Sequence, residues 1–424
     1  MKSNFSMIEE KERIPFAQGY SLTAKPNMPE WFLKFRRAGF ETYLKEYGSI
    51  DSTVRNFISG GNFESIAVEL CPSLDMLLKY KMLDIEAYTI VLLNGRYCPE
   101  LSYEDDLPFS VFSDGLGLSL SDDENFLNGK LKCDNNPLVA LNSAYLSNGV
   151  VIEVEDGTKL LKPIHVISIV CCDDEKLFLN PRVFVNVGAD ASVDIIESNL
   201  SFEEKYFENK VVQFSVGKNS VVNHYSYYNV SKDSLMTEND FFEFADYSVF
   251  NQISFVKNSG ILNKVYDFSV NEGGKLNSSV SVDSSDKNIV DVSAVIRHLK
   301  SQGESDVSLF AVAEDEADIR FKTSVECAKN IFDVNTNQIS RILLNSVNAR
   351  GRIKPLQNIA SEKVKAYHGA VVSGVNPKDL FFLQSRGLDE KSAKTLVLKS
   401  CLANILQNIH NEKIYDAFYN LIWL

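Results

Sequence analysis

Apolar and polar residues alternate along the middle of the chain, from about residue 138 to 360. Segments such as 150–155 (VVIEVE) and 305–310 (SDVSLF) are rich in β-branched and aromatic residues. Such segments are typical of β-strands with one buried face. Proline interrupts central strands, and between Pro181 and residue 360 only Pro355 occurs. The pattern therefore predicts a long, predominantly β region.

A weak repeat of a turn followed by a strand recurs inside this region. Units that begin at Gly188, Gly217, Gly274 and Gly303 start 29, 57 and 29 residues apart. The segment 245–250 (ADYSVF) lies halfway across the long gap and fits a missing unit. A period near 29 residues is typical of a solenoid, in which each coil covers the apolar face of the next. A β-sandwich with evenly spaced hairpins is the alternative, and the repeat alone leaves it open.

Helical patterns precede the β region. Apolar residues at helical spacing predict a helix over about 30–44, and a second apolar group covers 74–82. A short strand is predicted at 88–93, closed by an Asn-Gly turn at 94–95. We assign residues 1–125 to an N-terminal helical domain.

Helical patterns also follow the β region. Asn376, Pro377 and Gly387 stand in the order of an N-cap, a first helical residue and a C-terminal stop. Asp389 predicts the cap of a longer helix that reaches about residue 409, and a final amphipathic segment covers 414–422. We therefore divide the rest of the chain into a β core domain (126–370) and a C-terminal helical domain (371–424).

The charge balance disfavours nucleic acid as a partner. The chain has 57 acidic and 43 basic residues and a formal net charge of -14, so its surface repels phosphate backbones. No apolar run is long enough for a membrane-spanning helix, and the first residues lack the apolar region of a secretory signal. We expect a cytoplasmic protein that binds neither nucleic acid nor membrane.

Common active-site patterns are missing from the sequence. The seven cysteines, at 71, 98, 133, 171, 172, 327 and 401, form no CxxC pair, which favours free thiols over a zinc or cluster cage. No phosphate-binding loop, HExxH or GxSxG occurs. The acids Glu314, Asp315, Glu316 and Asp318 could serve a β-helical carbohydrate-active enzyme, but consecutive acids are more typical of a solvated turn.

Five histidines remain as metal-ligand candidates, at 165, 224, 298, 368 and 410. A neutral imidazole is a good iron ligand near neutral pH. His368 differs from the others in its place, where the strand region gives way to the C-terminal helices.

Three motifs follow one another around that histidine. They are residues 354–359 (KPLQNI), 366–370 (AYHGA) and 379–387 (DLFFLQSRG). In this order they resemble the C-terminal signature of the SufB/SufD family of iron–sulfur cluster assembly proteins, and weaker similarity extends back to about residue 90. Residues 367–370 (YHGA) stand where SufB chains carry an EHEA-like element. The resemblance therefore favours the SufD type.

The resemblance implies a mainly β fold, with a right-handed parallel β-helix core and flanking N- and C-terminal helical domains. It implies a scaffold subunit of the SufBCD complex with no enzymatic activity of its own. Such a subunit pairs with SufB through the β-helix and binds the SufC ATPase through its C-terminal helical domain. No cofactor is expected to bind stably to the chain alone; a transient iron–sulfur cluster would form at the SufB interface, with His368 as a ligand. The SufC contact would involve Phe381, Phe382, Arg386 and Gly387.

Three alternatives stay open. A SufB-like subunit that itself carries the nascent cluster would need a cysteine, for which Cys327 is the nearest candidate. A β-helical carbohydrate-active enzyme would use the acids at 314–318. The isolated chain could also form a homodimer, because a β-helix edge made for one partner can pair with itself.

Overall fold

The computed structural model describes residues 14–17, 20, 30–61, 63, 85–102, 110–112, 135–146, 149–171, 177–201 and 205–423. Short 3₁₀ helices cover Tyr47–Ser49, Pro99–Leu101 and Ala403–Asn408. The α-helices of the described residues are α1 (Glu30–Glu46), α2 (Ser52–Gly61), α3 (Pro137–Tyr145), α4 (Pro377–Ser385), α5 (Glu390–Leu402) and α6 (Glu412–Trp423). No helix of these residues is long and apolar enough to cross a membrane.

Strands dominate the rest of the described chain. They are β1 (Tyr88–Leu93), β2 (Arg96–Tyr97), β3 (Ser110–Phe112), β4 (Gly149–Val154), β5 (Ile164–Val170), β6 (Leu177–Leu179), β7 (Arg182–Val187), β8 (Ser192–Ser201), β9 (Tyr206–Val216), β10 (Val221–Asn229), β11 (Leu235–Phe244), β12 (Val249–Asn258), β13 (Ile261–Val270), β14 (Lys275–Ser284), β15 (Ile289–His298), β16 (Glu304–Ala313), β17 (Asp318–Cys327), β18 (Phe332–Leu344), β19 (Arg350–Ile359) and β20 (Lys363–Gly374).

These strands form a parallel β-solenoid with two sheets. The first sheet has the order β2-β1-β5-β8-β10-β12-β14-β16-β18-β20, and the second has β19-β17-β15-β13-β11-β9-β7-β4-β3. From β7 onward, consecutive strands alternate between the two sheets, and β6 pairs with β9 beside the second sheet. All strand pairs are parallel except β1 with β2 and β3 with β4. The prediction of a β-helix is confirmed, and an antiparallel sandwich is excluded.

The register of the first sheet shows the predicted period. Ser192, Val221, Val249, Lys275 and Glu304 pair in succession, at offsets of 29, 28, 26 and 29 residues. One coil therefore takes two strands, one in each sheet, whereas the sequence repeat revealed only one of them.

Glycine begins the repeat units at Gly188 and Gly217 because the coils meet there at backbone distance. A Cβ added to Gly217 would lie 2.4 Å from the carbonyl carbon of Gly188 in the preceding coil. No side chain fits at that separation. At these two glycines the repeat marks a corner where successive coils stack, whereas a Cβ added to Gly303 would meet the His298 side chain instead.

Helices cover the outer faces of both sheets. The C-terminal residues Cys401, Ile405, Ile414 and Phe418 pack on the outer face of the first sheet. On the other side, α1, α2 and α3 pack around Phe178, Phe207 and Leu235 of the second sheet, among other residues. The C-terminal helices thus close an apolar face that would otherwise be exposed.

The flanking elements follow the predicted caps closely. Asn376 and Asp389 accept hydrogen bonds from the backbone N–H groups of Lys378 and Ser392, and Asn94 and Gly95 turn with φ of 47° and 72°. The predicted long C-terminal helix is α-helical only to Leu402 and continues as a 3₁₀ helix. The Leu402 carbonyl accepts a hydrogen bond from Ser281 of the solenoid, which accompanies this change. The apolar segment 74–82 lies outside the described residues.

The early coils enclose a charged cluster between the two sheets. Lys210 Nζ lies 2.6 Å from a Glu197 oxygen, and Lys264 Nζ lies 2.8 Å from Glu238 and 2.5 Å from Asp240. All five side chains are at most 2% exposed. Burial alone raises the pKa of Glu197, but Lys210 and the hydrogen bond from His224 hold it below its usual value. The groups compensate one another's charge inside the solenoid.

Candidate functional site

The last coil, formed by β19 and β20, leaves the end of the solenoid open. Each of these strands is the last of its sheet and pairs on one side only among the described strands. None of their residues is buried, whereas alternate residues of β18, the preceding strand of the first sheet, are buried. The inward side chains of this coil therefore face the open end rather than a further coil.

His368 is one of these inward residues. It pairs in register with Gln338 of β18, and neighbours in register on parallel strands point to the same face. Gln338 is 1% exposed, while His368 is exposed. The row continues through buried residues of the earlier coils, namely Val307, Ser278, Gln252 and His224. His368 is the solvent-facing end of that row.

A hydrogen-bonded bridge between the sheets supports this position. Gln338 accepts a hydrogen bond from Thr323 Oγ1 at 3.2 Å and donates to the Leu356 carbonyl at 3.5 Å. Pro355 pairs in register with Thr323, so it lies on the opposite wall of the last coil. Its lack of an N–H is tolerated because β19 is an edge strand. The His368 imidazole therefore lies next to a hydrogen-bonded polar layer formed by Gln338, Thr323 and the Leu356 carbonyl.

Three of the other histidines are structural. His165 and His298 are bonded to Ser198 and Ser305, and burial lowers the pKa of both to about 4. His224 is buried against Glu197 at 3.1 Å. His410 is exposed, but it lies between the 3₁₀ helix and α6 rather than in the solenoid. Of the histidines, His368 alone combines exposure with a place at the end of the coils.

Among the described residues, His368 is not part of a complete set of metal ligands. Within the described residues, no three His, Cys, Asp or Glu side chains come together as a metal site. A metal or cluster at His368 would therefore take its remaining ligands from another molecule.

The cysteines considered at the sequence level do not add a ligand. Cys327 is 4% exposed, and burial raises the pKa of its thiol, which keeps the less nucleophilic protonated form. Burial also raises the pKa of Cys401 to about 11. Cys98 and Cys171 are partly exposed thiols, and Cys71, Cys133 and Cys172 lie outside the described residues.

The acidic run at 314–318 lies at a corner of the solenoid. Asp315 has a φ of 51° in the turn between β16 and β17. Asp318 lies 2.8 Å from both Arg320 and Arg352; despite burial, these partners hold the pKa of its carboxyl below the usual value. A general acid requires the opposite shift. The run matches a solvated turn better than a hydrolytic centre.

The second group of predicted residues lies on α4, just beyond the solenoid. Phe381 and Phe382 are 72% and 56% exposed, and α4 has no buried residue. The Arg386 guanidinium lies 5.1 Å from the centre of the Phe382 ring, and Gly387 ends the segment with a φ of 97°. These phenylalanines are therefore not core residues of their own domain.

Several exposed residues of the last coil were not anticipated as a surface. Tyr367, Val371 and Leu356 are 62%, 50% and 38% exposed. Apolar and polar residues alternate in these strands as they do in the buried coils. The pattern therefore did not predict that these apolar residues are exposed. A run of basic residues over 350–365 was visible in the sequence and was the available clue.

Comparison with known proteins gives consistent matches. Residues 170–401 match the family model described as "SUF system FeS cluster assembly, SufBD core domain". The chain is 24% identical to a SufBD family iron–sulfur cluster assembly protein of Synechocystis sp., over 76% of this chain and 74% of that protein. It is 21% identical to Escherichia coli SufD (82% and 81%) and 22% identical to Bacillus subtilis SufD (70% and 68%).

Proposed function

Because the chain belongs to the SufBD family of iron–sulfur cluster assembly proteins, we propose that it is the SufD-type scaffold subunit of a SufBCD complex. In this role it pairs with a SufB-type subunit through the end of its solenoid and binds a SufC-type ATPase through its C-terminal helices. It catalyses no reaction itself. The observation that carries the proposal is the exposure of His368 at the end of a row whose other members are buried.

The chemistry of that position suits a transient cargo. A neutral imidazole donates a nitrogen lone pair to iron, and it loses this capacity when it is protonated. One ligand from this chain, completed by ligands from the partner, holds a nascent cluster at the interface between the subunits. Separation of the subunits then removes ligands and weakens the hold, as release to an acceptor requires.

The open coil also suits pairing with another solenoid. Among the described strands, β19 and β20 each have one unpaired edge, and such edges are templates for a further strand. The exposed apolar residues of these strands would be covered by the partner. The burial of Cys327 supports the SufD type over the SufB type, because a cluster-carrying cysteine must be accessible to iron and sulfur donors.

The ATPase contact is assigned to α4 and the turn that follows it. Phe381 and Phe382 are exposed aromatic side chains, a residue type enriched in the energetically dominant positions of interfaces. Arg386 lies beside one of these rings and would contribute a charged contact.

The test is co-purification of the tagged chain with the SufB-type and SufC-type proteins of the same organism. We expect the wild-type chain to recover both partners together with iron–sulfur chromophore. His368→Ala should recover both partners with less chromophore, because the interface remains and a ligand is lost. His410→Ala, at the other exposed histidine, is the matched control and should behave as wild type.

Each outcome is decisive for one part of the proposal. Recovery of neither partner by the wild-type chain contradicts the scaffold role. Full chromophore in His368→Ala complexes contradicts the ligand role and leaves the scaffold role intact. Loss of chromophore in Cys327→Ala, with His368→Ala unaffected, would favour the SufB type.

A further inference from the structure

The corner that leads from the first sheet into the second contains a notch. The turn after β10 covers residues 230–234 and the turn after β14 covers residues 285–288, but the turn between them, after β12, has only two residues, 259–260. Successive turns of this corner stack on one another, since the strands that follow them pair in register. The short turn is therefore recessed between two longer neighbours.

Gly260 forms the floor of this notch. Its carbonyl accepts a hydrogen bond from the Ile289 N–H at 2.9 Å. A Cβ added to Gly260 would lie 2.4 Å from the Lys232 carbonyl oxygen and 2.5 Å from that of Ser234. No side chain fits at these separations without a shift of the backbone, so the floor consists of main chain.

A cavity of about 650 Å³ occupies the notch, and one of its walls is apolar. Phe57 of α2, Ile261 and Ile289 line that wall. The Phe57 ring stacks on the buried Phe63 ring, with 5.4 Å between the ring centres and 11° between their planes. Small-molecule sites commonly have volumes of about 300–1,000 Å³. The cavity therefore has the size and the apolar wall of a ligand site.

The two ends of the cavity differ in charge. On the side of the earlier coils it is lined by Lys205, Lys232 and Asp233. On the side of the later coils it is lined by Asp286, Lys287, Asp315 and Glu316. The first end is therefore net positive, and the second end is net negative.

These charges do not compensate one another by contact. None of the three lysine ammonium groups has a described carboxylate oxygen within 4.0 Å, and none of the four carboxylates pairs with a described cation. A purely anionic ligand would meet the carboxylates of one end, and a purely cationic ligand would meet the lysines of the other. A ligand with both charges satisfies both ends.

The length of the cavity sets the distance between those two charges. The turns at 230–234 and 314–317 are three coil steps apart, and each step of about 4.8 Å gives about 14 Å in total. An extended polypeptide spans at most about 3.3–3.6 Å per residue, so about four residues cover this length.

We propose that the cavity binds a short peptide with free termini. Its carboxylate lies toward Lys205 and Lys232, its ammonium group lies toward Asp286 and Glu316, and apolar side chains at its centre contact the wall that includes Phe57. The proposal goes beyond the scaffold role and uses none of the residues to which that role is assigned, so each can fail without the other.

The first test is isothermal titration calorimetry of the full chain with the tetrapeptide Ala-Leu-Phe-Ala. We expect the peptide with free termini to bind with a Kd below about 1 mM. Acetylation of the amino terminus and amidation of the carboxyl terminus should each weaken binding at least about threefold, because each removes one charge contact. Absence of binding by the free peptide overturns the proposal. Equal affinity of the doubly blocked peptide also overturns it, in favour of an internal segment of another protein.

The second test assigns each terminus to its end of the cavity. Lys205→Met/Lys232→Met should weaken binding of the free peptide at least about threefold, and amidation should then have no further effect. Asp286→Asn/Glu316→Gln should weaken binding by a similar factor and abolish the effect of acetylation instead. Amidation and acetylation that remain additive with both variants overturn the assignment.

The matched control is Lys159→Met/Lys329→Met. It removes the same charge from two exposed lysines of other turns and should bind the free peptide as the wild-type chain does. Circular dichroism establishes that all three variants are folded. A control variant that loses as much affinity as Lys205→Met/Lys232→Met would show a general effect of net charge and would overturn the site.

Discussion

His224 and His368 occupy the same inward row of the solenoid, five coils apart, and differ in almost everything else. His224 is 1% exposed and lies against Glu197, inside a cluster of charges that compensate one another. His368 is exposed, has only one neighbouring strand among the described ones, and faces the open end. The same position of the repeat is therefore a buried, structural residue at His224, where another coil covers it. At His368, which no further coil of the described residues covers, the imidazole is available as a ligand.

The two regions also differ in what their charges do. In the early coils, cations and anions are buried together, and removal of one leaves its partner uncompensated in a medium of low dielectric. On the last coil, cations face solvent, so their removal costs the fold little and alters only what can approach. Substitutions in the early coils should therefore lower stability. Substitutions on the last coil should alter binding and leave stability nearly unchanged.

The largest effect on stability is expected for Lys264→Met. The substitution leaves Glu238 and Asp240 buried without their nearest cation, and such losses cost about 3–5 kcal/mol in the free energy of unfolding. Urea denaturation followed by circular dichroism measures it. His368→Ala is the counterpart at the open end and should change stability by less than about 0.5 kcal/mol. Equal effects of the two variants on stability would contradict the distinction between the buried early coils and the exposed last coil.

The next effect concerns pH and the buried histidines. Burial lowers the pKa of His298 from 6.5 to about 4, so between these values the unfolded chain binds a proton that the folded chain does not. This contribution is fully present above pH 6.5 and is lost as pH falls toward 4, and it amounts to about 3 kcal/mol. As pH falls from 6.5 to about 4, His298→Asn should lose less stability than the wild-type protein.

The unfolding midpoint in urea, measured between about pH 4 and 7, checks this difference. His410→Asn changes an exposed histidine and should follow the wild-type curve. A His298→Asn curve parallel to wild type would show that the buried imidazole is not linked to folding.

Glu208 gives an effect of opposite sign. Burial raises the pKa of its carboxyl from 4.5 to about 7, so its contribution is present at low pH and is lost as pH rises through 7. Glu208→Gln should therefore be about 3 kcal/mol more stable than wild type at about pH 8, and nearly equal to it at about pH 4. Thermal unfolding at the two pH values measures the difference, with Glu155→Gln as the exposed control. A variant less stable than wild type at the higher pH would contradict the expectation.

The smallest effect is expected on α4. Phe381→Ser/Phe382→Ser alters two exposed side chains and should leave the free energy of unfolding within about 0.5 kcal/mol of wild type, while it weakens binding of the SufC-type ATPase. Phe418→Ser, at a fully buried position of α6, should cost about 3–5 kcal/mol. Destabilisation by the α4 variant similar to that of Phe418→Ser would place these rings in the core.

The sequence predicted the solenoid but only half of each coil. The repeat was visible at Gly188 and Gly217 because coils touch there at backbone distance, which restricts the residue type. The opposite corners vary in length and residue type, as at 230–234 (VSKDS), 259–260 (SG) and 314–317 (EDEA), and carry no fixed glycine. The second strand of each coil therefore had no marker of its own.

Local chemistry determined the helix caps, the alternation of the strands and the motif around His368, because each depends on a few neighbouring residues. The exposure of His368 does not depend on neighbouring residues in the sequence. His224 and His368 both lie in strands of the same sheet, and the difference between them is whether a further coil follows in space. The tertiary structure alone decided this, since burial is set by residues far apart in the chain. For the same reason the sequence did not predict that Phe381 and Phe382 are exposed, because their pattern also fits a buried helix.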